Sequence, residues 1–345
     1  MLENSSIHTT PSDDILSVLS SIIDNSSIKG LKPSSSLFCD TTTTKSTFLF
    51  AYSAESDPEV VKNVLSKITN AISKDKRNRY VKFANVLFDN RYGSTIYYHD
   101  DLQIFKYSVV ANRPDPSLVY PDRHNDTDIF PVLESFLLNT DIPLCGSTIL
   151  ILTERIAQKN EEFSMKDTMI RKKVTTHFIQ SDYGKTGGYA LVLQDIAGYT
   201  GGLYVVSGIE ATKNDSFFPN IAEKIMEEPF TNTLIYAPLP FMTFIVENQP
   251  FEILQVPKGT EDLVNVTLSI TTELFTGISM ESMVLNLKNS KNDARSLKLS
   301  YTPKDFQPFS DLIWKTIQLE SGATYSVTMD FYTNLEGMVS IRMYL

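Results

Sequence analysis

The sequence predicts an α/β fold: a doubly wound, mostly parallel sheet of about six strands over residues 39–230, followed by an all-β sandwich over 231–345. Three observations carry this. Near-continuous apolar runs alternate with segments of helical periodicity up to about residue 230, the pattern of a sheet covered on both faces. One pair of strands is joined by a tight turn, which adds an antiparallel edge. Beyond 230 the pattern changes to short alternating segments separated by turn residues, the signature of a sandwich.

Residues 1–38 are rich in Ser, Thr, Asn and Asp and are expected to be a largely disordered polar segment. TFLFAYS (47–53) is a buried strand. PEVVKNVLSKITNAIS (58–73) is a helix, with Asp57 as N-cap, Pro58 at its first position and apolar residues at helical spacing. VKFANVLFD (81–89) and STIYYHD (94–100) form the hairpin pair around Arg91-Tyr92-Gly93. The segment 101–126, with RPDP inside it, reads as mostly loop. TDIFPVLESFLLN (127–139) is a helix and STILILT (147–153) a fully apolar strand. EEFSMKDTMIRKK (161–173) is a short helix, VTTHFIQ (174–180) a strand, GGYALVLQDIAGYT (187–200) a helix, GLYVVSG (202–208) a strand and IAEKIMEE (221–228) a helix. The sandwich strands are read from TNTLIYAP, FMTFIVEN, VNVTLSITTE, SMVLNLKN, SLKLSYTP, KTIQLES, TYSVTMDFYT and MVSIRMYL.

The composition narrows the function classes. Apolar residues make up 42% of the chain and the net charge is -10. A nucleic-acid groove needs a basic patch, so no nucleic-acid partner is expected. No apolar run approaches the ~20 residues that span a bilayer. The N-terminus, MLENSSIHTTPSDD, lacks the basic and apolar regions of a signal peptide. Two cysteines, Cys39 and Cys145, are too few for a zinc site, and the four histidines form no ligand spacing. Five Asn-x-Ser/Thr sequons occur, at Asn4, Asn25, Asn125, Asn214 and Asn265. Those at Asn125, Asn214 and Asn265 are candidate glycosylation sites.

Two catalytic motifs fail on inspection. SDYGKTGG (181–188) ends like a phosphate loop, but Ile179 stands where the motif requires glycine. No Gly-x-Ser-x-Gly elbow is present, and no local motif pairs a histidine with a nucleophile. The expected protein is therefore not an enzyme; a hydrolase ranks last among the readings.

In an open α/β sheet, ligands bind at the carboxyl ends of the strands. Ser53-Ala54-Glu55, the loop HNDTD (124–128) and Thr153-Glu154 should meet there. Ser53, Thr127 and Glu154 carry oxygen donors of the kind that hard cations take. With the order of elements and the hairpin strand, these three loops resemble the von Willebrand factor A domain. That family carries a metal-ion-dependent adhesion site: Asp-x-Ser-x-Ser, a later Thr and a later Asp. Here Ala51 stands for the leading Asp, Ser53 is kept, Glu55 replaces the second Ser, Thr127 matches the Thr and Glu154 replaces the last Asp. The wording FAYS, CGSTILILTER and LQDIAGYTGGLY is closer still to a nematode family of uncharacterised proteins with this kind of domain, many of them secreted.

The resemblance implies a non-catalytic recognition or adhesion protein with a protein or glycan partner. It implies a binding surface around Ser53, Glu55, Asp57, Thr127 and Glu154. Because Ala51 supplies no charge, no resident cofactor is expected, and Mg²⁺ at the degenerate site would be held weakly. In the family's strand order Cys39 and Cys145 precede neighbouring strands at the same end. A disulfide between them is implied, with an extracellular setting; two free thiols in a cytoplasmic scaffold protein is the other reading.

Overall fold

The computed structural model describes residues 39, 45–75, 77–119, 127–155, 165–180, 191–206, 216–226, 234–236, 241–251, 253–274, 280–302 and 312–345. The polar segment 1–38, the GKT stretch and the expected boundary at 230/231 lie outside them.

The first sheet is built on β1 (Ser46–Ser53), which is buried along its whole length. It lies centrally, between β2 (Tyr80–Phe88) and β4 (Thr148–Thr153), and pairs parallel with both. β3 (Tyr97–His99) adds antiparallel to β2, while β5 (Thr175–Gln180) and β6 (Tyr204–Val206) extend the other side in parallel. The strand order is β3-β2-β1-β4-β5-β6. A doubly wound, mostly parallel six-stranded sheet is therefore present as expected.

Successive side chains of a strand point to opposite faces, and β1 feeds two cores in this way. Phe48, Phe50 and Tyr52 pack with Val61, Val64, Leu65 and Ile68 of α1 (Pro58–Lys74) and with Ile221, Ala222 and Ile225 of α6 (Phe217–Met226). Leu49 and Ala51 pack on the opposite face with residues of α3 (Ile129–Leu138) and α5 (Leu191–Thr200). This double burial explains why the run reads as continuously apolar. α1 begins as the sequence indicates, with Asp57 accepting from the Glu59 amide at 2.7 Å and Pro58 in the first turn.

The segment read as loop contains a helix, α2 (Leu102–Ala111). The Asp101 carboxylate caps it, accepting from the amides of Gln103 and Ile104 at 2.7 and 3.0 Å. Phe105 and Val109 bury its inner face. Asp101→Ala is expected to cost about 1 kcal/mol in chemical denaturation, and Asp101→Asn much less; equal losses would show that the cap contributes nothing. The short helix α4 (Lys166–Arg171) lies within the stretch read as helical.

Cys39 and Cys145 form a disulfide with Cα atoms 5.4 Å apart. The register of β1 against β4, with Phe48 opposite Thr148, explains the proximity: each cysteine precedes one of two adjacent parallel strands.

The second sheet is antiparallel, with the order β12-β11-β14-β10-β13. Its strands are β10 (Leu263–Leu274), β11 (Met280–Asn289), β12 (Leu297–Tyr301), β13 (Leu312–Glu320) and β14 (Thr324–Tyr344). β7 (Leu234–Tyr236), β8 (Phe241–Pro250) and β9 (Leu254–Gln255) also pair with β14. The two segments read as separate strands, TYSVTMDFYT and MVSIRMYL, are thus one 21-residue strand. Its first half pairs with β11 and its second half with β10. The pairing with β8 shifts register between Tyr332 and Gly337. Tyr325, Val327, Met329 and Phe331 from one half share a core with Val339, Ile341 and Met343 from the other. One long strand thus ties the antiparallel C-terminal part into a single continuous hydrogen-bonded sheet.

The last turns of β14 reach the α/β sheet. Tyr344 belongs to the core beside α1 and donates from its hydroxyl to the Gly201 carbonyl at 2.9 Å. Close approach also explains Gly202, where a Cβ would lie 1.8 Å from the Thr176 carbonyl oxygen. Among the described residues, no helix is long and apolar enough to cross a membrane.

Candidate functional site

The carboxyl ends of β1, β2 and β4 and the start of α3 bring four segments together. At their centre is Asp89, which follows β2 and is only 1% exposed. Its φ of 58° turns the chain sharply out of the strand, a conformation that Asp tolerates better than most residues. Ser53 Oγ donates to Asp89 Oδ2 at 2.9 Å. Thr127 Oγ1 and the Asp128 amide donate to Asp89 Oδ1 at 2.9 and 2.8 Å. One carboxylate therefore ties the end of β1 to the entry of α3. Burial pushes this carboxyl up to about 6, against the lowering effect of those three hydrogen bonds and of the Arg155 charge.

The second half of the site is an ion pair. Arg155 is 5% exposed and its Nη2 donates to Glu55 Oε1. The turn after β4 aims it. Thr153 Oγ1 accepts from the Arg155 amide at 3.2 Å and donates to the Arg155 carbonyl at 3.1 Å, closing a tight loop at the strand end. Burial opposes the guanidinium's charge, but the Glu55 hydrogen bond and the charges of Glu55, Asp89 and Asp128 outweigh it and hold the group above arginine's ordinary value. The Ser53 hydroxyl also accepts from the Glu55 amide at 3.3 Å, linking the two halves.

The residues expected from the sequence fall out as follows. Ser53 and Thr127 come together, both buried, on the shared carboxylate of Asp89. Glu55 joins them through its amide, which donates to Ser53 Oγ, while its carboxylate pairs with Arg155. Asp57 is exposed and caps α1. Glu154 is half-buried at the same end of the sheet, beside Arg155 in the chain. Among the described residues, no three His, Cys, Asp or Glu side chains are grouped so as to hold a metal ion. Of the candidate glycosylation sites, Asn265 is exposed on β10, where its Oδ1 accepts from Gln318 Nε2 at 3.3 Å. Asn125 and Asn214 lie outside the described residues.

Two central residues escaped the sequence reading. Asp89 closes the apolar run VKFANVLFD, and an acid at the end of a strand neighbouring β1 was the available signal. Arg155 follows STILILTE, where a single cation after an apolar strand resembles an ordinary solvated turn.

The strand order, the single antiparallel edge and the helices on both faces define a von Willebrand factor A-like α/β fold, with further antiparallel sheet in the C-terminal part. Neither a protein-family model nor a curated protein matches the sequence. Solved structures do match. One is a von Willebrand factor type A protein from Catenulispora acidiphila, at TM-score 0.39 and 9% identity over 88% of this chain and 58% of that one. Another is the human COPII-coat protein Sec24c, at TM-score 0.38 and 8% identity over 89% of this chain and 44% of that one. A third is proximal thread matrix protein 1 from the mussel byssus with a zinc-occupied MIDAS motif, at TM-score 0.37 and 18% identity over 55% of this chain and 47% of that one. The chain thus spans about half the length of each of these three solved chains (58%, 44% and 47%).

Proposed function

We propose that this chain is a non-catalytic recognition or adhesion module that works outside the cell, and that its binding face at the carboxyl end of the α/β sheet operates without a metal. The observation that carries this is the Glu55–Arg155 pair at the same end of the sheet as the buried Asp89 carboxylate, within reach of its charge. These residues do not fit a divalent cation as they stand. The Glu55 carboxylate is engaged by a guanidinium, and Asp89 already accepts three hydrogen bonds. A cation placed beside Arg155 would meet like charge in a poorly solvated site. The extracellular setting is supported by the disulfide, which belongs to oxidising compartments, by the exposed sequon at Asn265 and by the resemblance to a nematode family of which many members look secreted. The partner is a protein or a glycan, met through Glu55, Asp57 and the loop ends around them.

The test has two parts. Chelator-treated protein titrated with Mg²⁺ and Mn²⁺ should give no binding heat. Arrays of glycans and extracellular-matrix proteins should then be probed in chelator and in Mg²⁺. Binding should be the same in both and should fall at least tenfold, a loss of about 1.4 kcal/mol, in the double variant Glu55→Lys, Asp57→Lys. Capture that appears only with Mg²⁺ would overturn the reading.

A further inference from the structure

We propose that Arg155 is the resident cation of this site, supplied by the chain in place of a metal, and that removing its guanidinium opens a divalent-cation site. The inference rests on the metal-free reading above. Two carboxylates, Glu55 and Asp89, are brought to one end of the sheet, with Asp89 almost wholly out of water. Such a pair repels itself unless a positive charge lies between or beside its members. Arg155 supplies that charge from a buried position and is held by favourable interaction with Glu55, Asp89 and Asp128.

The guanidinium is not a docking point for a partner's acid. Its side chain is 6% exposed and already paired, whereas the Glu55 side chain is 29% exposed. Its work is internal: it neutralises the cluster and fastens the turn after β4 to the turn after β1. With the side chain cut back, the remaining groups are two carboxylates and two hydroxyls whose lone pairs are still available. That is an all-oxygen set, and solvent entering the vacated space would supply the further ligands that Mg²⁺ or Mn²⁺ retains.

The experiment compares the wild type, Arg155→Ala, Arg155→Met and Arg155→Lys, all chelator-treated, by calorimetric titration with Mn²⁺ and by thermal unfolding with and without Mn²⁺. The Ala and Met variants should bind one Mn²⁺ on the order of 100-fold more tightly than the wild type and melt higher in its presence. The Lys variant, which keeps a cation, should stay unresponsive. Adding Glu55→Gln to Arg155→Ala should abolish the gain. Folded Ala and Met variants that ignore Mn²⁺, beside a silent wild type, would overturn this inference and leave the metal-free reading standing. Tight binding by the wild type would overturn both. If neither variant folds without metal, refolding on addition of Mn²⁺ supports the proposal and failure to refold overturns it.

Discussion

Replacing both cysteines, as Cys39→Ser with Cys145→Ser, is expected to lower stability by about 2–5 kcal/mol, with the same loss on reduction of the unaltered protein. The bond joins residues 106 apart in sequence. It encloses β1, α1, β2, β3, α2 and α3, so it restricts the unfolded chain over half of the strands of the first sheet. Chain-entropy arguments give roughly 4–5 kcal/mol for a loop of about 100 residues, and measured losses usually run lower. The native state should lose little, because β1 and β4 are already held in register by five paired positions from Phe48 to Tyr52. Denaturation midpoints of the oxidised, reduced and double-serine proteins check this. Coincident midpoints would mean that the bond does not constrain the unfolded state, and a thiol count on unreduced, denatured protein would show whether it forms.

How much of this could be read from sequence depends on whether the signal is local. β1 was legible because a strand buried on both faces must be apolar throughout, and Phe48 to Tyr52 is. α1 was legible because its cap, its proline and its apolar stripe agree. α2 was not. Its buried Phe105 and Val109 are interleaved with exposed Ile104, Tyr107 and Val110, which blurs the periodicity, and RPDP follows close behind. The continuity of β14 was hidden by Asn334-Leu335-Glu336-Gly337, which reads as a turn although the strand runs on through it. At the site, Ser53 and Thr127 were found because strand ends and helix starts can be located from pattern. Their shared partner, Asp89, sits 36 residues from the first and 38 from the second. Glu55 and Arg155 are 100 residues apart. Pairings of that kind are made by strand order, and only a fold can show them.

That network predicts a large difference between two substitutions at one position. Asp89→Ala should destabilise the protein by about 3–5 kcal/mol. It removes the acceptor of three donors, the Ser53 and Thr127 hydroxyls and the Asp128 amide, of which Ser53 is completely buried. Each buried group left without a partner costs about 1–3 kcal/mol. It also takes away one of the charges that offset the burial of Arg155. Asp89→Asn should cost less than about 1.5 kcal/mol. Its Oδ1 can still accept from Thr127 and the Asp128 amide, its Nδ2 can donate to the Ser53 oxygen, and the neutral amide escapes the burial that pushes the Asp89 carboxyl up to about 6. Urea denaturation of the two variants separates hydrogen bonding from charge. Equal, large losses would make the negative charge the essential element, and Arg155 the group that requires it. A severe Ala variant beside a mild Asn variant would make Asp89 chiefly a three-way acceptor. In that case Glu55 is the main counter-ion of the guanidinium, and Glu55→Gln should loosen the turn after β4 more than Asp89→Asn does.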